Sequence, residues 1–241
     1  ISINNIAGTC LLSSADKMNN ACRSWVEQHG AFQLNPDDHR LRTANNRTGC
    51  PENEQFVQLP SYEQCAESKT AYAVAFASQY REQDPKHGRT LIQRHGTRFL
   101  IQNPPQKPLP QSKLDHVYSL PYERTFHPSY LAAGGVPAIE EVRFSVSSHR
   151  GCFGGCNFCA IGFHQGRIIQ HRSDESVLAE VEAITRMPDF KGYIHDIGGP
   201  TANFHEPACE KQRNGEVCRN RQCLFPKPCP ALNVSHKSYL E

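Results

Sequence analysis

Residues 140–159 read EEVRFSVSSHRGCFGGCNFC, and the second half of this stretch carries three thiols, Cys152, Cys156 and Cys159, in the pattern C-x3-C-x2-C. Three ligands so close together reach only one small inorganic object. A tetrahedral zinc site takes four ligands. An iron-sulfur cube is held by cysteine thiolates at its iron corners, so three cysteines leave one iron with an open position, where chemistry takes place. On spacing alone, a structural zinc completed by His149 or His164 is the alternative. Gly151, Gly154 and Gly155 give the backbone freedom to wrap closely around a bulky core. Upstream, Val142, Phe144 and Val146 alternate with polar residues, which predicts a strand over 140–147 from whose end the loop leaves.

Working downstream, Ser173 precedes Asp174 and Glu175 and then Val177, Leu178, Val181 and Ile184. That is an N-cap, an acidic first turn and an apolar stripe, and Pro188 bounds the far end of the predicted helix. Residues 192–197, GYIHDI, predict a short buried strand that ends at Gly198-Gly199-Pro200. Strand, cysteine loop, helix, strand and glycine pair form a βαβ order.

This segment resembles the start of a radical S-adenosylmethionine (SAM) enzyme. The strings RFSVSSHRGCFGGCNFCAIGFHQGRIIQHRS and GYIHDIGGPTANFHEPAC resemble the YgiQ-type proteins of that superfamily. So do EQDP (82–85), QNPP (102–105), LPYERTFHPSY (120–130) and GGVPAIEEV (134–142), and the likeness runs from about Leu59 to Glu241. The resemblance implies an α/β fold, with the start of a TIM-like partial β/α barrel from 139 to 241. A mixed helical and loop-rich N-terminal region of the same family precedes it over 1–138.

The resemblance also implies roles. Cys152, Cys156 and Cys159 would each bind one iron of a 4Fe-4S cluster, and the fourth iron would chelate the amino and carboxylate groups of SAM. Phe158 matches the aromatic near the adenine, and Gly198 and Gly199 match the pair whose backbone meets the methionine amino group. The common pattern has Glu in third place, whereas this chain has Pro200 and then Thr201. Proline has no amide hydrogen, so contact there falls to carbonyl groups or to Thr201. The implied reaction is reductive cleavage of SAM to methionine and a 5'-deoxyadenosyl radical, which abstracts hydrogen from a substrate that the sequence does not identify. The implied electron donor is a flavodoxin or ferredoxin.

A second cysteine set lies in a loop over 205–232: Cys209, Cys218, Cys223 and Cys229, interleaved with Pro226, Pro228 and Pro230. Four thiols on a segment too proline-rich for a helix or a central strand suit a structural zinc or an auxiliary iron-sulfur cluster. Disulfides are disfavoured, because a 4Fe-4S enzyme belongs in a reducing compartment. Cys10, Cys22, Cys50 and Cys65 are scattered and read as buried small residues.

A net charge of +2 over 241 residues gives no broad basic field for nucleic acid. No apolar run reaches membrane-spanning length and no signal sequence opens the chain, so the expected location is the cytoplasm. The chain opens on Ile1 and closes about a hundred residues after the predicted first barrel strand, where a full barrel takes roughly 200–250; it reads as a fragment. Within the N-terminal region the patterns predict a helix over 15–29, an exposed loop over 35–49, and a helix over 61–83 opened by a Ser61/Gln64 capping box, with Tyr72, Phe76 and Tyr80 as a core stripe. A strand over 97–102, a proline-rich connector over 103–110 and a short helix over 114–120 follow.

Asp196 and His195 lie near the C-terminal end of the second predicted strand, the end that faces the active site in a β/α barrel. Asp196 is the candidate catalytic side chain; His195 is a second one or turns outward. Arg167 and Arg172 pair either with the SAM carboxylate or with the acidic helix start. Two functions follow from these residues: a radical SAM enzyme, or a metal-stabilised binding module in which both cysteine sets are structural.

Overall fold

The computed structural model describes residues 7–14, 17–18, 20–29, 55–199, 204–233 and 235. The chain divides into two packed units, Ile1–Lys107 with Asn214–Pro226, and Pro108–Arg213 with Lys227–Glu241.

In the first unit β1 (Cys10–Ser14), β2 (Phe56–Gln58), β3 (Thr90–His95) and β4 (Arg98–Gln102) form a sheet in the order β1-β4-β3-β2. His95 pairs with Arg98, which leaves Gly96 and Thr97 as a two-residue hairpin turn. Gly96 takes φ +57 there, the left-handed region that glycine enters without strain. β2 runs parallel to β3, and parallel neighbours need a crossover, supplied by α2 (Tyr62–Glu67) and α3 (Lys69–Arg81). On one face of the sheet Met18 and Cys22, the latter on α1 (Asn20–His29), pack with Phe56, Ile92 and Ile101. Val57, Leu59 and Leu91 form a separate cluster. Adjacent strand residues point to opposite faces, so Leu91 and Ile92 serve the two clusters.

Several expectations for this region are corrected. It is built on a sheet, of which only the strand at 97–102 was expected. The helix over 61–83 is two helices, broken at Ser68 (φ −129, ψ 115). The Ser68 N–H donates to the Gln64 carbonyl to close α2, and its hydroxyl accepts from the Ala71 N–H to open α3. The capping box at Ser61 and Gln64 is present. Of the expected aromatic stripe Tyr72 is 62% exposed while Phe76 and Tyr80 are half-buried, and the buried residues of α3 are the small Ala71, Val74, Ala75 and Ser78, which let the helix pack closely. Cys22 is buried, but Cys65 is half-buried and Cys10, on β1, is exposed. The helix predicted over 15–29 begins at Asn20. Cys50 and the loop predicted at 35–49 lie outside the described residues.

The second unit carries α4 (Gln111–Tyr118), a 3-10 turn (Pro128–Ala133), α5 (Ile139–Val142), β5 (Ser145–Ser147), β6 (His149–Arg150), α6 (Ile161–His164), β7 (Gln170–His171), α7 (Asp174–Thr185), β8 (Asp196–Gly198) and α8 (Glu210–Arg213). β5 and β8 pair in parallel with α7 between them in sequence, the expected βαβ order. The Ser173 hydroxyl caps α7 by accepting from the Ser176 N–H at 3.2 Å, and Ile184 is fully buried on the helix's inner face. The strand predicted at 140–147 is confined to Ser145–Ser147. Residues 139–142 form a helical turn, with Glu140 and Glu141 placed where the helix dipole favours acids. The strand predicted at 192–197 pairs only from Asp196, and Asp196 and Ile197 are exposed rather than buried. No helix among the described residues is long and apolar enough to cross a membrane.

Candidate metal centre

The cysteine loop is closed at its base by a short antiparallel ribbon in which β6 pairs with β7, His149 opposite His171 and Arg150 opposite Gln170. Directly above the ribbon the Cys152 N–H donates to the Gly166 carbonyl at 3.0 Å, and the Gly151 N–H to Gln165 Oε1 at 3.1 Å. Gly151 sits at φ +92. A Cβ there would lie 3.0 Å from the Ile168 carbonyl carbon and closer still to its oxygen, so the ribbon admits only glycine at this position. Ile168 and Ile169 are buried beneath it. Phe153, 1% exposed, stacks on Phe204 with centroids 4.0 Å apart, which anchors the first turn of the loop.

Cys152, Cys156 and Cys159 are free thiols; Cys156 is exposed and the other two half-buried. Gly154 lies between two of them: its N–H donates to Cys152 Sγ at 3.3 Å, and a Cβ on it would lie 3.3 Å from Cys152 Sγ and 3.7 Å from Cys156 Sγ. A backbone amide aimed at a cysteine sulfur is the kind of donor that stabilises a cluster-bound thiolate. Among the described residues no group of three His, Cys, Asp or Glu is gathered closely enough to hold a metal ion. A single zinc needs its sulfurs converging at about 2.3 Å. A cube takes one thiolate at each of three separate irons. Three free thiols with a backbone amide on one of them are donor chemistry that suits a cube. Phe158, next to the third thiol, is 93% exposed.

The glycine pair ends β8. Ser147 pairs with Gly198, and the Ser148 N–H donates to the Gly198 carbonyl at 2.8 Å, so the chain leaving β5 brings His149, the first residue of β6, to Gly199. His149 is 2% exposed, and its Nδ1 lies 3.0 Å from the hydroxyl of the fully buried Ser148. His205 is edge-on to it at 6.0 Å between centroids and stands 5.6 Å from His171. Burial first, and then the neighbouring His205 and His171, push the His149 imidazole down to about 4, against a smaller upward pull from Asp196. Of this group only His149 was named from the sequence, as an alternative zinc ligand; its grouping with His171 and His205 was not. Its one local signal is the SSHRG string before the first thiol, which is meaningless until β6 pairs with β7.

The remaining candidates fall as follows. Asp196 is exposed at the start of β8 and pairs with Ser145. His195 is exposed, with its Nδ1 3.1 Å from the Glu141 carbonyl and its ring edge-on to Phe144, which is an outward setting. Thr201 lies outside the described residues. Arg172, 1% exposed, belongs to the helix: it pairs with Glu180, donates to the Ser147 carbonyl at 3.0 Å and to the Ser176 carbonyl at 2.7 Å, and lies over the Tyr118 ring at 4.3 Å. Arg167 is buried. Of the second cysteine set, Cys209 and Cys229 belong to the second unit and Cys218 and Cys223 to the first, all four half-buried.

A thiol triad on a glycine-wrapped loop, followed by a capped helix and a strand ending in a glycine pair, defines a radical SAM-type segment. The radical SAM N-terminal family model matches residues 1–145, more than half of the sequence, and the chain belongs to that family. It is similar to the UPF0313 protein of Clostridium botulinum (strain Okra / Type B1), 55% identical over 187 residues that cover 78% of this chain and 29% of the relative. It is also similar to the UPF0313 protein of Clostridium perfringens (strain ATCC 13124), 51% identical over 187 residues that cover 78% of this chain and 28% of the relative. The chain thus spans less than a third of the length of these YgiQ-type relatives. No solved structure matches it.

Proposed function

We propose that this chain is part of a radical SAM enzyme in which Cys152, Cys156 and Cys159 hold a 4Fe-4S cluster. The observation that carries this reading is the loop itself: three free thiols, two of them flanking Gly154, with a backbone amide on Cys152 Sγ. When bound and reduced, such a cluster supplies the electron that cleaves SAM to methionine and the 5'-deoxyadenosyl radical used for hydrogen abstraction. The work of this chain is to bind and orient. Gly151 and the β6·β7 ribbon hold the loop in one shape, Phe153 packed on Phe204 anchors its first turn, and Phe158 offers an exposed ring for the adenine. Gly198 and Gly199 offer backbone to the methionine end, and Thr201 is a further candidate from its place in the sequence alone. Asp196 lies on the same strand as the candidate polar group toward the substrate.

On this reading the βαβ of β5, α7 and β8 is the first step of a TIM-like barrel, with 1–138 as the family's N-terminal region and 139–241 as the start of the core. The protein acts in the cytoplasm and receives electrons from a flavodoxin or ferredoxin. Cys209, Cys218, Cys223 and Cys229 are, by their spacing in sequence alone, candidates for a further zinc or cluster ligand set.

Iron and acid-labile sulfide analysis of the full-length protein after anaerobic reconstitution tests the reading. A content of about four iron and four sulfide that depends on the triad is expected. Zinc alone would favour a metal-stabilised binding module in which both cysteine sets are structural.

A further inference from the structure

The glycine pair is expected to lack side chains because a ligand lies against it, yet at Gly199 the protein itself fills the space. A Cβ built on Gly199 lies 2.5 Å from both Cδ2 and Cε1 of His149 and closer still to Nε2. Real Cβ atoms do not approach ring atoms so closely, and the imidazole cannot retreat. It is 2% exposed, its Nδ1 is tied to the Ser148 hydroxyl at 3.0 Å, and its backbone is fixed on both sides, by the ribbon pairing to His171 and by the Ser148 N–H on the Gly198 carbonyl. His149 Nε2 is buried and has no hydrogen-bond partner among the described residues. A buried polar atom left in that state is destabilising, and an apolar ring would avoid the penalty. The position therefore keeps an imidazole for its fit against Gly199 and its orientation by Ser148.

We propose that His149 is a positioning residue for SAM: its buried ring is the floor on which Gly199 lies, and it sets the height of the Gly198-Gly199 backbone that receives the methionine end of the cofactor. The proposal rests on the radical SAM reading given above. It links the two halves of the site through one contact. The strand that leads into the cysteine loop also sets the glycine pair, so loop and pair keep a fixed spacing. On this proposal His149 acts through its contact with Gly199.

A size-exchange cycle in the full-length, reconstituted protein tests it. Gly199→Ala alone pushes the backbone off the ring and should weaken SAM binding by about tenfold, as overpacking a filled site does. SAM binding is read from the change in the reduced cluster's electron paramagnetic resonance signal on titration, and iron content should stay at the parent value. His149→Ala combined with Gly199→Ala makes room for the new methyl group and should restore binding to within about threefold of the parent. A double variant no better than Gly199→Ala, or a Gly199→Ala protein that binds SAM like the parent, would overturn the proposal. The same three proteins are melted without SAM, where the contact predicts that the double variant regains thermal stability lost by Gly199→Ala. Regained stability without regained SAM binding would leave His149 a packing residue and overturn the positioning role. A parent whose signal SAM does not change would overturn the cofactor reading itself, while the melting cycle would still report on the contact.

Discussion

At the scale of single residues the site depends on two kinds of position: thiols that are available, and glycines whose missing side chains are accounted for by named neighbours. The triad was legible in the sequence because its information is in spacing, and spacing survives without coordinates. The reason for Gly199 was not legible. Its neighbour His149 is distant in sequence and meets it only when β5 and β8 pair. The same histidine has a pH consequence. It is neutral in the folded protein down to about pH 4, whereas an unfolded histidine takes up its proton near 6.5. Between these values the unfolded chain binds the extra proton, so stability is full above pH 6.5 and falls as pH drops toward 4. For a buried group with imidazole neighbours this is on the order of 2 kcal/mol. Chemical denaturation at pH 7.5 and 5 should show a smaller acid loss in His149→Phe than in the parent; equal losses would mean that His149 does not carry the effect.

Among the elements, those whose signal is local were read correctly. Ser61 with Gln64 opened a helix, and Ser173 with its acidic turn opened another. Elements whose signal is tertiary were missed. β2 is three residues long, and β3 begins with three buried residues in succession, so neither shows the alternation that marks a half-buried strand. The Gly96-Thr97 turn between the two hairpin strands was the available signal, a two-residue loop with glycine first. Conversely, the alternation over 140–147 was read as a longer strand than forms, because its first half is a helical turn with Val142 58% exposed. Ser68 ended one helix and began the next in a segment whose composition favours helix throughout, which pattern alone does not reveal. The ribbon at the loop base gives a prediction of its own. Gly151→Ala must move the Ile168 carbonyl or abandon φ +92, so the loop should lose its shape and the reconstituted protein should fall well below the parent's iron content. Parent-level iron would show that the ribbon does not govern loading.

Across the whole molecule, the chain returns to the first unit after building the second, since residues 214–226 pack with 1–107. The EQDP string explains how this return is held. Glu82, at the end of α3 with its side chain 2% exposed, accepts from Arg89 at 2.8 Å and from Arg219 at 2.6 Å, while Lys86 pairs with Glu216. Gly88 packs on the same loop, where a Cβ would lie 2.5 Å from the carbonyls of Glu82 and Asp84. Removing the carboxylate that two guanidinium groups share takes a buried counter-charge away from both. Glu82→Ala should lower stability by about 3 kcal/mol and open the segment around Arg219 to protease. An unchanged melting temperature and cleavage pattern would contradict this role.

The central claim is that the triad carries radical SAM chemistry, and the most direct measurement is 5'-deoxyadenosine formed from SAM by the full-length protein under anaerobic, reducing conditions. The parent should form it, and Cys156→Ala, which removes one of the two thiols flanking Gly154, should form none. If Cys156→Ala cleaved SAM at the parent rate, or the parent with an intact cluster formed no 5'-deoxyadenosine, the claim would be contradicted.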